Sequence, residues 1–236
     1  MTRTEIIELL RESRDPRGEA NWKKLGEDTG GLTSYGIGLT KLRAIAKKVG
    51  RDHDLALKLW KDRNHDAKVV GLLIDDPKKL TREQIEEQAD GAGTGMLGHV
   101  LSSCDAVLAK SPIAFEIARD WIASKDDVRR RCGYGLVYEL SKNNRDRRLT
   151  DEFFLDCIAR IEKTIVKEEN WVRVAMGGAL IGIGKRNKKL NAAAIKVARA
   201  IGPIHFSDGD KKCEPMDVLK HLTSDYLRNK LGASAR

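Results

Sequence analysis

The basic residues of this sequence are its clearest candidates for chemistry. Between Asn170 and Ser207 the chain has seven Lys and Arg residues but no Asp or Glu. Exposed helices usually mix both signs of charge, because oppositely charged neighbours stabilise a helix. A stretch without acids favours a surface that contacts phosphate groups, since each such contact releases counterions and requires no base recognition. The seven residues are Arg173, Lys185, Arg186, Lys188, Lys189, Lys196 and Arg199.

A second basic cluster precedes this stretch. Three consecutive arginines at 129–131 are followed by three more at 145, 147 and 148. The whole chain has 44 Lys and Arg against 35 Asp and Glu, a formal net charge of +9, so a polyanion is the expected partner. A solvated helix face is the alternative interpretation. The residues predicted to contact DNA are Arg129, Arg130, Arg131, Arg173, Lys185, Arg186, Lys188 and Lys189.

The sequence offers weaker candidates for a catalytic or metal site. Asp75 and Asp76 precede a proline and are more typical of a turn, while Asp208 and Asp210 lack the further ligands of a calcium loop. The glycine-rich segment 91–95 lacks the lysine and the spacing of a phosphate-binding loop. The four cysteines match no zinc motif. We therefore expect no metal and no cofactor, and we expect the free thiols of a cytoplasmic protein.

Helices must position these residues. Apolar residues recur every three or four positions, as at Leu39 and Leu42, and this is the period of an α-helix. Short polar clusters separate the periodic segments, so the sequence predicts an all-α fold with tight loops and no sheet. Trp60, Trp121 and Trp171 lie on apolar stripes and are predicted to be core residues. The charged N-terminus and the lack of an apolar run of about 18 residues predict neither a secretory leader nor a membrane span.

A faint internal repeat is present. Segments 66–72, 128–134 and 171–177 each have a basic residue at the third position and a small residue at the fifth or sixth. The offset between the second and third segments lies within the period of about 40–47 residues that HEAT and armadillo helix pairs show. A degenerate pair at about 81–109 would fill the longer interval before them. In such solenoids the second helix of each pair lines a concave face. The alternative to a repeat is that these segments are ordinary buried helices with solvated edges.

Three stretches of the chain carry a family resemblance. The first is residues 34–77, which begin with SYGIGLTKLRAIAKK. The second is residues 128–136, VRRRCGYGL, and the third is residues 170–204, which begin with NWVRVAMGGALIGIGKRNKK. Together they resemble the bacterial DNA alkylation repair family of AlkD-type proteins, and SDGDKKCEP at 207–215 is similar to a C-terminal segment of many members. The resemblance implies one superhelical solenoid of HEAT-like repeats over 34–232, which grips duplex DNA in a basic concave cleft. An N-terminal helical segment at 1–33 and a tail at 233–236 would flank it.

The resemblance also implies an activity, whose residues this chain mostly lacks. Catalytic members are DNA glycosylases that remove N3- or N7-alkylated purines without flipping the base, and two tryptophans and an aspartate surround the deoxyribose. Those positions fall here at Gly95, His99 and Gly178, and only the family arginine is retained, as Arg131. An oxocarbenium-like sugar needs negative charge and aromatic faces. Family membership therefore does not imply family activity in this chain.

Three functions remain open at this stage. The first is a non-catalytic, monomeric and cytoplasmic protein that binds the backbone of duplex or branched DNA. The second is an active alkylpurine glycosylase that uses a different set of residues. The third is a protein-interaction scaffold whose basic surface holds an acidic partner.

Overall fold

The computed structural model describes residues 1–93, 95–208, 211–212 and 214–232. The chain divides into two compact units, Met1–Ile113 and Ala114–Arg236. Both are built almost entirely of helices, as the 3.6-residue period predicts. None of the described helices is long and apolar enough to cross a membrane.

The N-terminal unit has seven α-helices in its described part, with short 3-10 turns at Gly26–Thr29 and Leu108–Lys110. Helix α5 is buried along most of its length, and Ile6 and Leu10 of α1 are fully buried in the same unit. Trp60 is 5% exposed, which confirms its predicted place in the core. The seven helices are α1 (Arg3–Glu12), α2 (Pro16–Lys23), α3 (Leu39–Val49), α4 (His53–Trp60), α5 (His65–Ile74), α6 (Arg82–Ala92) and α7 (Met96–Ser102). Helices α6 and α7 form the pair predicted at 81–109.

The C-terminal unit also has seven α-helices in its described part, with a 3-10 turn at Ile165–Lys167. The core of this unit includes Trp121, which is 2% exposed as predicted. A Cβ atom on Gly133 would lie 2.7 Å from the backbone nitrogen of Ile122, so only glycine allows α8 and α9 to approach this closely. The helices are α8 (Ala114–Trp121), α9 (Asp127–Leu140), α10 (Asp151–Thr164), α11 (Asn170–Gly184), α12 (Lys188–Ile201), α13 (Val218–Leu222) and α14 (Asp225–Leu231).

Helices α9 and α11 run parallel. Near their N-terminal ends, the Arg131 guanidinium lies 5.3 Å from the centre of the Trp171 ring. Near their C-terminal ends, a Cβ atom on Gly182 would lie 2.8 Å from the Tyr138 ring. Parallel neighbours joined by an intervening helix, here α10, are the arrangement expected of stacked helical repeats.

The three similar sequence segments occupy equivalent places in three helices. Asn64, Asp126 and Glu169 are the N-caps of α5, α9 and α11, and the side chain of each accepts a hydrogen bond from the first turn. Each similar segment therefore begins at the second residue of its helix. This shared register agrees with the predicted internal repeat.

The basic residue at the third position of each segment also has a shared structural role. Lys68, Arg130 and Arg173 each donate a hydrogen bond to a backbone carbonyl outside their own helix. The acceptors are the carbonyl oxygens of Trp60, Ser124 and His205. These side chains tie a helix to an adjacent segment of the chain.

One element departs from the prediction of no sheet in the part of the chain that the structure describes. Ser207–Asp208 (β1) pairs antiparallel with Lys211–Lys212 (β2). The period of two cannot be recognised in strands this short. Residues 209, 210 and 213 of the predicted family segment, and the tail at 233–236, lie outside the described residues.

Candidate nucleic-acid interface

The eight predicted DNA-binding residues form two groups at opposite ends of α9 and α11. Three of them, at 129–131, lie in the first turns of α9, and Arg173 lies in the first turn of α11. The other four lie between 185 and 189, where α11 ends and α12 begins. A helix of this length spans about 22 Å. The structure therefore does not bring the eight residues into one cluster.

In the first group, Arg130 is half-buried and bound to partners within the protein. Its Nη2 donates to Glu168 Oε2 at 2.7 Å and its Nη1 to the Ser124 carbonyl at 3.1 Å, and it also pairs with Asp127. Burial disfavours its charged form, but the bonds to Glu168 and Asp127 outweigh burial and raise the pKa of Arg130. The charge of Arg130 is therefore largely matched by internal carboxylates.

Arg131 is also mostly buried, although the sequence predicts that it contacts DNA. It is only 9% exposed and packs against the Trp171 ring. Burial lowers the pKa of its guanidinium. Trp171 is only half-buried, so the prediction that it is a core residue is wrong. The centre of its ring lies 6.1 Å from the centre of the Phe206 ring.

The two remaining members of the first group are half-buried. Arg129 pairs with Asp126 at 3.5 Å. The Nη2 atom of Arg173 donates to the His205 carbonyl at 2.6 Å. Both side chains therefore have a partner within the protein.

In the second group, Arg186 connects two basic loops. Its Nη1 donates to the carbonyl oxygens of Ser141 at 2.7 Å and Asn143 at 3.0 Å, and its Nη2 donates to that of Leu149 at 3.4 Å. The guanidinium lies 4.5 Å from the centre of the Phe154 ring. Burial lowers the pKa of Arg186. Arg186 therefore fixes the loop 142–149 against the end of α11.

This connection collects exposed positive charge at one end of the C-terminal unit. We call this surface the basic end. The loop 142–149 contributes side chains that are exposed to solvent, and α12 begins with two exposed lysines, while Lys185 is half-buried. The side chain of Asn187 donates to Asp151 Oδ1 at 2.9 Å and holds the start of α12 in place. The basic end consists of Arg145, Arg147, Lys185, Lys188 and Lys189.

The acids near the basic end are few and mostly engaged. Arg148 binds Asp146 at 2.7 Å and Glu116 at 2.6 Å. The hydrogen bond from Arg148 lowers the pKa of Asp146. Glu152 is exposed, and the hydrogen bonds at the start of its helix, followed by the charge of nearby Lys189, lower the pKa of Glu152. Asp151 accepts a hydrogen bond from Asn187, and Glu139 pairs with Lys142. Most of the acids near the basic end are therefore bound to partners other than its five basic residues.

The positions predicted to correspond to the family's catalytic residues carry no carboxylate and no indole. Gly95 is the exposed N-cap of α7. His99 is half-buried, and its Nε2 lies 2.6 Å from Cys104 Sγ. Gly178 faces open space: apart from its chain neighbours and its own helix backbone, no described atom lies within 4 Å of a Cβ built on it. The described residues hold no group of three His, Cys, Asp or Glu that could bind a metal ion.

Two sets of contacts in the structure are not predicted by the sequence. Asp75, interpreted as a turn residue, is 2% exposed and accepts hydrogen bonds from His53 Nδ1 and Gln84 Nε2, each at 2.7 Å. The structural role of Arg186 was also missed. A short distance in space between residues far apart in sequence leaves no signal in a single sequence.

Comparison with known proteins gives consistent matches. The family model described as DNA alkylation repair enzyme matches residues 6–205. Uncharacterized protein Lmo0209 of Listeria monocytogenes is 27% identical over 201 residues, 84% of this chain and 86% of that protein. Uncharacterized protein Lin0241 of Listeria innocua is 27% identical over 202 residues, 85% of this chain and 86% of that protein.

A solved structure resembles almost the whole chain. It is described as a new family of proteins related to the HEAT-like repeat DNA glycosylases with affinity for branched DNA structures. The TM-score is 0.82 at 22% identity, and the match covers 98% of this chain and 97% of that chain. This likeness confirms the predicted all-α fold of HEAT-like repeats.

Proposed function

Because the chain belongs to the DNA alkylation repair enzyme family, we propose that it binds the DNA backbone through the basic end and does not excise bases. The preferred partner is branched DNA. The protein acts as a monomer in the cytoplasm, and the free thiols of Cys104, Cys132 and Cys157 accord with a reducing compartment.

The observation that carries the proposal is the contact between two basic loops through Arg186. Its three hydrogen bonds to backbone carbonyls fix the loop 142–149 beside the start of α12. The exposed Lys and Arg side chains are then presented together by a fixed backbone. Clustered cations of this kind bind phosphates without reading sequence.

A preference for branched DNA follows from the same geometry. At a branch point the backbones of different arms converge, so the density of phosphates exceeds that of one duplex. Two adjacent basic loops can contact two backbone segments at once, and the gain in effective concentration raises affinity. The structurally similar protein described as having affinity for branched DNA supports this assignment.

The lack of excision rests on Gly95, His99 and Gly178. Loss of a single group that stabilises a transition-state charge commonly lowers a rate by about 100- to 1,000-fold. The family description as an enzyme and the retained Arg131 favour glycosylase activity as the second candidate function. Excision must therefore be measured separately from binding.

The direct test measures binding to a fluorescent four-way junction and to a matched duplex by anisotropy. The variant Lys185→Glu/Lys188→Glu/Lys189→Glu reverses three charges of the basic end, and it should weaken junction binding at least tenfold. The matched control Lys125→Glu/Lys163→Glu/Lys167→Glu changes the same charge at exposed sites near the opposite end of α11. It should have a much smaller effect. Equal losses in the two variants would exclude the basic end as the principal contact.

A further inference from the structure

We propose that Cys104 is a reactive thiol that His99 activates toward soft carbon electrophiles, such as alkyl halides. Both residues lie in the N-terminal unit, and the proposal does not depend on DNA binding. The product is a stable thioether on Cys104, so the pair is a covalent modification site.

The distance between the two side chains is the first observation. His99 Nε2 lies 2.6 Å from Cys104 Sγ, and both residues are partly exposed to solvent. A nucleophile within hydrogen-bond distance of a base is the arrangement that activates cysteine in enzymes. By contrast, Cys132 and Cys157 are 0% and 1% exposed. An electrophile can therefore reach Cys104 but not those two thiols.

The backbone holds the thiol in place against the imidazole. Helix α7 ends where the Ser103 N–H donates to the His99 carbonyl at 2.8 Å. Cys104 and Asp105 then adopt φ values of 55° and 62°, in the left-handed region that residues other than glycine rarely occupy. Arg43 Nη2 donates to the Cys104 carbonyl at 2.7 Å and stabilises this turn. The turn brings Sγ back toward the helix that carries His99.

The reaction is a bimolecular substitution. The Cys104 sulfur attacks the electrophilic carbon and forms an S–C bond, while the bond from carbon to its leaving group breaks and the leaving group departs with the electron pair. His99 Nε2 accepts the thiol proton as the S–C bond forms, and the imidazolium later gives this proton to water. No oxidant, reductant or metal is needed.

The test uses the full chain with Cys213→Ser, which removes the cysteine that lies outside the described residues. Iodoacetamide is added at neutral pH, and peptide mass spectrometry follows the labelling of each cysteine. Cys104 should react at least tenfold faster than glutathione under the same conditions. Cys132 and Cys157 should stay unlabelled while the protein is folded. A Cys104 rate at or below that of glutathione would overturn the proposal.

The variant His99→Gln tests the role of the imidazole. Glutamine can still form a hydrogen bond but cannot accept the proton, so the Cys104 rate should fall at least tenfold. Circular dichroism and the melting temperature show whether the variant is folded. An unchanged rate in a folded variant would contradict activation by His99. If the variant does not fold, the glutathione comparison in the His99 protein decides.

Discussion

At the residue scale, Arg186 acts as a cross-link within the C-terminal unit. Its guanidinium satisfies three backbone carbonyls and packs on Phe154. A hydrogen bond from a charged group contributes about 1.5–3 kcal/mol, and buried acceptors that lose their donor are costly. Arg186 thus stabilises the loop that carries Arg145 and Arg147.

The variant Arg186→Gln should lower the free energy of unfolding by about 2 kcal/mol. It should also weaken DNA binding, because the loop 142–149 loses its attachment. The comparison is Lys188→Gln, which removes one exposed charge and should change stability by less than about 0.5 kcal/mol. Urea denaturation measures both. Equal stability of Arg186→Gln and the unsubstituted protein would show that the three hydrogen bonds contribute nothing.

The buried Cys157 thiol makes the fold sensitive to alkali. Burial raises its pKa to about 12, above the ordinary thiol value of 9.0. Above pH 9 the unfolded chain loses this proton while the folded chain keeps it, so stability must fall as pH rises. The thiol should account for a loss of about 1 kcal/mol between pH 9 and pH 10. Urea denaturation at several pH values should give a smaller decline for Cys157→Ala, and an identical decline would contradict this origin.

The sequence shows which residues are basic but not which of their side chains are exposed to solvent. Arg130, Arg131 and Arg186 have the same sequence appearance as Lys188 and Lys189. Their side chains turn inward because partners far along the chain, such as Glu168 and the Ser141 carbonyl, meet them in space. Such partners are set by tertiary packing, so the sequence predicts a basic surface but not the end of the unit at which its exposed charges lie.

At the element scale, the two glycines Gly133 and Gly178 have opposite roles in parallel helices. A Cβ on Gly133 would lie 2.7 Å from the Ile122 nitrogen and 2.9 Å from the Trp121 carbonyl carbon. Backbone atoms cannot yield as a flexible side chain can. Gly178 instead has open space where a Cβ would stand.

Gly133→Ala should therefore destabilise the protein by about 1–3 kcal/mol, through the separation of α8 from α9. Gly178→Ala should stabilise it by up to about 1 kcal/mol, because alanine has the higher helix propensity. Thermal and urea unfolding provide the measurement. A Gly133→Ala variant as stable as Gly178→Ala would contradict the close approach of the two helices.

The helices themselves were largely predictable. Apolar spacing gave the fold class, and the three similar segments each begin at the second residue of a helix. Local physics determines these features, since caps and periodicity act within a few residues. The partial exposure of Trp171 was not predictable, because it depends on how much of the ring Phe206 and Arg131 cover.

At the scale of the whole molecule, we expect family membership without the family's base-excision activity. The chain belongs to a family named for alkylation repair, yet the three positions predicted to match the family's catalytic residues are Gly95, His99 and Gly178, which have neither a carboxylate nor an indole to stabilise a sugar cation. Release of 7-methylguanine and 3-methyladenine from methylated DNA should stay at background. Chromatography of the released bases measures this, with an active alkylpurine glycosylase as the positive control. Substantial release would establish the second candidate function.

If the basic end neutralises phosphates, junction binding must depend steeply on salt concentration. The logarithm of the association constant should fall linearly with the logarithm of salt concentration, by about 0.9 for each phosphate contacted in B-form arms. In Lys185→Glu/Lys188→Glu/Lys189→Glu this slope should be shallower by about three such contacts. The same slope in the triple variant and the unsubstituted protein would contradict the claim.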